Sequence, residues 1–297
     1  MTQPLWHPPG MSQRWQVGDV TITSVIEDET LHIPPEFFFP DATTADVLRH
    51  PWLVPDYADE HGNVGLRVQA IVVEQAGRTI LVDPCVGNDK VRPLPFWNQQ
   101  SYPFMERFAA AGFDAASVDL VVHTHLHADH IGWDTHLVDG EWVPTFVNAR
   151  HLYTARELEW CRSGDDPGVA GVYEDSIAPV IAAGLSEIVD EAADLGDGVR
   201  LEPTTGHTPG HVSLWIESVG EVALLSGDFL HHPVQCAEPH LREIGDYDIE
   251  QARDTRRRML ARAAETGALM LVAHFTGSPA GRVVAAGDAW RFVPEPG

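Results

Sequence analysis

Cysteine is scarce in this chain: Cys85, Cys161 and Cys236 are the only three in 297 residues, and they lie far apart. An odd, scattered set excludes a disulfide framework and a Cys-x-x-Cys zinc site, and it fits a reducing, cytoplasmic setting. Basic side chains are also few. Against 44 acids stand 19 lysines and arginines, a formal net charge of −25 that repels a polyanion, so no nucleic acid partner is expected. No run reaches the ~20 apolar residues of a membrane span, and Met1 to Gly10 has neither a basic nor an apolar leader character; no membrane partner and no export are expected. A Gly-x-Ser-x-Gly elbow is missing, which disfavours a serine hydrolase.

What the chain does have is apolar matter and histidine. At 44% hydrophobic and 8% aromatic it can fill one large core. Val118 to Val122 reads as a buried strand, and directly after it come His125, His127, Asp129 and His130, four ligand-type side chains within six residues. Imidazoles two apart converge on one cation, while Asp129 and His130 point towards a second. Three later segments repeat the theme. A turn rich in Gly and Pro, Thr205 to His211, precedes the apolar strand Val212 to Ile216; Leu224-Leu225-Ser226-Gly227 ends on Asp228; and Leu269 to Ala273 ends on His274. A strand-end carboxylate such as Asp228 has two oxygens with which to bridge two cations.

This series, His125-x-His127-x-Asp129-His130, then His211, Asp228 and His274, with Leu81-Val82-Asp83 ahead of it, resembles the ligand set of the metallo-β-lactamase superfamily. Its Asp129 and Asp228 and the absence of a cysteine ligand are similar to the dinuclear branch of N-acyl homoserine lactone lactonases and methyl parathion hydrolase. The tail from His274 to Pro294 shares the latter likeness. The resemblance implies an α/β fold of the four-layer αβ/βα sandwich type. It also implies two divalent metal ions, zinc foremost: His125, His127 and His211 on the first, Asp129, His130 and His274 on the second, Asp228 bridging. The implied reaction is hydrolysis of a small-molecule carboxylic ester or lactone by hydroxide generated between the metals. Asp129 would carry a proton to the leaving group, making Asp129 and Asp228 the catalytic residues, and Asp83 would orient a ligand. A phosphotriester substrate is the alternative, and an iron oxidoreductase of the same fold a more distant one.

The remaining segments read more coarsely. Residues 1–62 are expected as an extension packed on a catalytic domain of residues 63–297, with Ile33 to Pro40 and Trp52 acting as a lid, a homodimer contact or a cover. Strands are expected over Val17 to Ile26 and Val64 to Val82, the latter turning near Gly77. Helices are expected over Ser101 to Ala111, from Thr154 with Glu157 in a capping box, over Ser176 to Ala183, and from Asp248 to Gly267. Arg253, Arg256, Arg257, Arg258 and Arg262 read as a solvated helix face. Trp133 either borders the pocket or packs on the sandwich. Aromatic residues between Phe96 and Phe104 either wall the pocket or pack a loop. His123, His207, His231 and His232 read as supporting residues rather than ligands.

Overall fold

In Ile80-Leu81-Val82, and again in Ala223-Leu224-Leu225, neighbouring side chains belong to different apolar clusters, as strands covered on both faces require. The computed structural model, which describes residues 12–297, sets these segments in two seven-stranded sheets. The first holds β1 (Gln13–Val17), β2 (Val20–Ile33), β3 (Val64–Gln75), β4 (Arg78–Val82) and β5 (Leu120–Val122). After a separate ribbon of β6 (Thr135–Val138) and β7 (Glu141–Pro144), it is completed by β8 (Arg150–Thr154) and β9 (Ser186–Val189). The second comprises β10 (Asp194–Gly196), β11 (Val199–Pro203), β12 (Val212–Ser218), β13 (Glu221–Leu225), β14 (Leu269–Leu271), β15 (Ala280–Ala286) and β16 (Ala289–Pro294), in that spatial order. Each sheet is contiguous in sequence, so the chain passes between them once, after Val189.

The helices are α1 (Pro35–Phe38), α2 (Thr44–Leu48), α3 (Phe104–Ala110), α4 (Ala128–Ile131), α5 (Ala155–Ser163), α6 (Ala178–Ala182), α7 (Val234–Ala237) and α8 (Ile249–Thr266). Ile80, Val82, Val122, Leu214, Ala223, Leu225 and Leu271 fill the seam between the sheets. On the outer face of the first sheet Leu81 and Val121 meet Phe104 and Phe108 of α3. On the outer face of the second, Leu224 and Met270 meet Met259, Leu260 and Ala263 of α8. The result is the four-layer αβ/βα sandwich expected of the sequence. Each Val, Leu or Ile fully buried in the seam contributes about 1.5–3 kcal/mol, so a one-residue slip of any central strand is strongly opposed.

The two halves repeat one arrangement. β3 and β4 form an antiparallel hairpin and β4 runs parallel to β5; β12, β13 and β14 do the same. Asp83 and Asp228 follow the second strand of each set, and His125 and His274 follow the third.

Several segments depart from the sequence expectation or choose among its alternatives. The boundary at residue 62 does not part the sheet, because β1 and β2 are strands of it and β2 pairs with β3 over its length. Val17 to Ile26 is not one strand either: Gly18, at φ +57°, turns β1 into β2. What covers the sandwich is the segment after β2, with Phe39, Val47, Leu53 and Tyr57 buried against α8 and the second sheet and Ile33, Phe38 and Trp52 packed beside them. α3 begins only at Phe104, behind Pro103. Within α8, capped by Asp248 and ended by Gly267 at φ +65°, Arg256 is not solvated; it is buried and donates to the carbonyls of Phe229, Pro239 and Leu241. Trp133 packs, stacked 5.6 Å from the Phe104 ring, with its indole N–H on Glu27 at 2.5 Å. Among the described residues no helix is long and apolar enough to cross a membrane.

Candidate metal centre

β4, β5, β13 and β14 end at one edge of the seam, and their following residues converge there. Asp83, just past β4, accepts from the Thr124 backbone N–H at 2.8 Å and its hydroxyl at 2.7 Å, and its Oδ2 lies 3.1 Å from His130 Nδ1. The loop after β5 is thereby tied down at Thr124, directly before His125. α4 starts immediately after His127 and carries Asp129 and His130 on a single turn. Gly132 allows that turn to nest on the loop after β4: its N–H donates to the Cys85 carbonyl at 2.6 Å, and a Cβ there would lie 1.6 Å from Val86 O. His274 is aimed by β3. Its Nδ1 donates to the Arg67 carbonyl at 2.8 Å, and Gln69 holds the carbonyls of Val272 and Ala273 at 3.1 and 3.0 Å.

The convergence is close. His125 Nε2 and His207 Nε2 each lie 3.0 Å from His127 Nδ1. Asp129 Oδ2 lies 3.5 Å from His130 Nε2 and 3.6 Å from His274 Nε2, which are 3.3 Å from each other. Asp228 Oδ2 is between the two groups, 3.7 Å from His125 and His207, 3.2 Å from His130 and 3.0 Å from His274. All seven side chains are buried. The ligand atoms of His125, His127 and His207 fall within 4.8 Å of one another, as do those of Asp129, His130 and His274.

All seven expected ligands lie at this edge: His125, His127, Asp129, His130, Asp228 and His274 make the contacts above, and the His211 ring stands 5.1 Å from that of His125. His211 Nε2 accepts from the Asp228 backbone N–H at 2.8 Å, and its Nδ1 lies 2.8 Å from Thr204 Oγ1, so both ring nitrogens are engaged. Burial, helped by the charge of His207, pushes His211 down to about 3, leaving a neutral ring. His211 directly precedes β12, and the Ser213 hydroxyl two residues on joins the same Thr204. His207, four residues earlier in the turn, reaches the same cluster, its ring 5.0 Å from that of His125. The sequence hint was the Gly206-His207 start of the turn, but turn geometry could not be read from residue types. His231, read from the sequence as a supporting residue, stands with its Nε2 3.1 Å from Asp228 Oδ2. His232 lies behind, with Nε2 on the Tyr57 carbonyl at 2.8 Å.

The electrostatics separate the imidazoles. Burial holds His125 and His127 well below the ordinary imidazole value, which keeps them neutral and able to donate lone pairs. Burial also opposes charge on His207 and His130, but carboxylates prevail: Asp246 and Asp228 raise His207 to about 9, and Asp228, Asp129 and Asp83 hold His130 well above its usual value. Asp246 Oδ1 is 3.2 Å from His207 Nδ1. The edge of the seam is thus a negative field lined with nitrogen donors.

That donor set, imidazoles and carboxylates without thiolate, suits borderline divalent cations. Asp228 Oδ1 supplies a more specific test of fit, being buried with no hydrogen-bond partner among the described residues. An orphaned carboxylate oxygen costs free energy unless something charged completes it. The residues fit divalent metal ions.

A second buried cluster lies behind the first. Asp134 takes His123 Nε2 at 3.0 Å, His151 Nδ1 at 3.1 Å and the Tyr153 hydroxyl at 2.8 Å. His123 is thereby a supporting residue, as the sequence suggested. Of the aromatic loop, Phe104 packs in the core and Phe96 is exposed. The ring nearest the centre is instead Trp160, 5.5 Å from His127, with Tyr247 a further 6.2 Å out.

The family model of the metallo-beta-lactamase superfamily matches residues 64–274, from the start of β3 to the last histidine of the cluster. N-acyl homoserine lactonase AttM of Rhizobium radiobacter is 32% identical over 125 residues, 41% of this chain and 44% of that one. A probable metallo-hydrolase of Methanocaldococcus jannaschii is 28% identical over 114 residues, 37% of this chain and 48% of its own. The chain thus spans less than half the length of either relative. AbOPH, a hydrolase in the beta lactamase superfamily, has a solved structure that superposes with a TM-score of 0.78 at 26% identity over 96% of this chain and 97% of that one. AidC, a dizinc quorum-quenching lactonase, shares the fold with a TM-score of 0.75 at 18% identity over the same fractions. The matched stretch contains every strand end that carries the buried imidazoles and carboxylates, and on that match the chain belongs to the metallo-beta-lactamase superfamily.

Proposed function

We propose that the protein is a metal-dependent hydrolase of carboxylic esters or lactones that works with two divalent cations, zinc foremost. Asp228 carries this reading: its Oδ2 lies 3.0–3.7 Å from imidazole nitrogens of both sheets while its Oδ1 is buried without a partner. Cations held there would supply Lewis-acid chemistry, rendering water nucleophilic near neutral pH and polarising a carbonyl oxygen. On this reading His125, His127 and His207 hold one cation, Asp129, His130 and His274 the other, and Asp228 spans both. His211, the ligand expected from the sequence beside His125 and His127, has its ring 5.1 Å from that of His125 and accepts from the Asp228 backbone N–H, so it borders the same cation.

The chain's own groups provide the rest. Asp83 aims His130, Asp246 aims His207, and the Arg67 carbonyl aims His274, so the imidazoles would meet the cations already oriented. Asp129, beside His130 and His274, moves the proton to the leaving alkoxide. Trp160 and Tyr247 give the site an apolar border suited to an uncharged acyl group. The lactone preference draws support from AttM and AidC, whose names state that activity.

The test is acid release from a matched panel of lactones, aryl esters and phosphotriesters by zinc-loaded protein, by chelated protein and by His127→Ala. Turnover of lactones or esters that needs both metal and His127 is expected. Turnover of phosphotriesters alone puts the organophosphate reading in its place, and turnover indifferent to chelation and to His127→Ala defeats both.

A further inference from the structure

The Thr154 to Glu157 sequence matches a helix capping box, yet neither side chain caps α5. Thr154 donates to the Gly210 carbonyl at 3.2 Å, and Glu157, the fully buried third residue of α5, turns away from its own helix. Its Oε1 accepts from the Leu126 N–H at 3.1 Å, and its Oε2 from the Thr208 hydroxyl at 2.9 Å and the Gly210 N–H at 2.8 Å. Leu126 is the residue between His125 and His127; Thr208 follows His207. The approach is close enough that a Cβ on Gly210 would lie 2.6 Å from the Glu157 nitrogen.

We propose that Glu157 is a positioning residue of the metal centre, one carboxylate that fixes the separation between the His125–His127 loop and the His207 turn and thereby sets affinity for the cation those three imidazoles hold. The inference rests on the metal assignment above. Three donors point at this side chain and each belongs to a ligand-bearing segment, so any lengthening of one bond displaces a ligand by a comparable amount. Glutamine keeps the shape but turns one of the two acceptor atoms into a donor facing donors, which pushes the two segments apart.

The experiment strips the full-length protein of metal and titrates it with zinc against a competing chelator, comparing wild type, Glu157→Gln, Thr208→Val and His127→Ala. Glu157→Gln is expected to weaken one zinc by roughly 10- to 100-fold, the range seen for partners of metal ligands, with a changed visible spectrum when Co2+ replaces zinc. Thr208→Val, which removes one donor and keeps the carboxylate, is expected to weaken it by about three- to tenfold. It also serves should the glutamine variant not fold. Wild-type zinc affinity and cobalt spectrum in Glu157→Gln, with binding lost in His127→Ala, overturn the proposal; so does a lower unfolding temperature of the stripped protein at unchanged affinity, which assigns Glu157 to folding alone. Retention of both zinc ions by His127→Ala instead removes the metal assignment itself.

Discussion

Replacing Glu27 by glutamine should remove a component of stability that falls as pH rises. Glu27 lies in β2, buried, and accepts from Val86 N–H at 2.8 Å, Gly87 N–H at 3.0 Å and the Trp133 indole. Burial raises its carboxyl from the ordinary 4.5 to about 7, although those three donors pull the other way. Between those values the folded protein binds a proton that the unfolded chain does not, so Glu27's contribution is complete below 4.5 and is lost as pH rises through about 7. At about 1.4 kcal/mol per tenfold change in proton affinity, the full difference is about 3 kcal/mol. The net charge vanishes near pH 4.8, where solubility suffers. Urea unfolding between about pH 5.5 and 8.5 avoids that region and retains about 2 kcal/mol of the effect. His232, which burial lowers to about 4, titrates in the opposite sense, but it and the metal ligands are common to both proteins and cancel in the difference. Over this range wild type should lose about 2 kcal/mol relative to Glu27→Gln. A gap that stays constant, or moves in favour of wild type as pH rises, refutes the reasoning.

Gly132→Ala should be among the most damaging single-methyl additions. The new Cβ would meet Val86 O at 1.6 Å, backbone against backbone, so the cost should exceed the roughly 1–3 kcal/mol of ordinary overpacking, and metal content should fall because α4 carries Asp129 and His130. An unchanged unfolding temperature counts against it. The three cysteines are buried and desolvation pushes their thiols up, so an aromatic disulfide reagent should label none in the native protein and all three in denaturant; labelling of the folded protein contradicts this burial.

Much of the centre was legible because its donors follow apolar strands. Asp83, His125, Asp228 and His274 each come just after an unmistakable buried run, and a strand end at a seam has few places to point. The closeness of His207 to His127 was not legible, since the path of a Gly- and Pro-rich turn cannot be read from residue types. Glu157 misled for a related reason: local spacing describes what a side chain could do for its own helix, whereas its partners lie 31 and 51 residues away. The covering role of residues 34–63 depended on which sheet face was left open, a tertiary fact. β1 was lost at Gly18, where one residue type cannot distinguish a turn from a weak point in a longer strand.

The single passage of the chain between sheets, after Val189, has a consequence for how the molecule comes apart. Severed there, one piece keeps His125, His127, Asp129 and His130, and the other His207, Asp228 and His274. On the proposed assignment neither piece owns a complete cation position, so each ion is a rivet through both halves. Losing metal is then felt as loosening of one half from the other, with each half's internal strand pairing left intact.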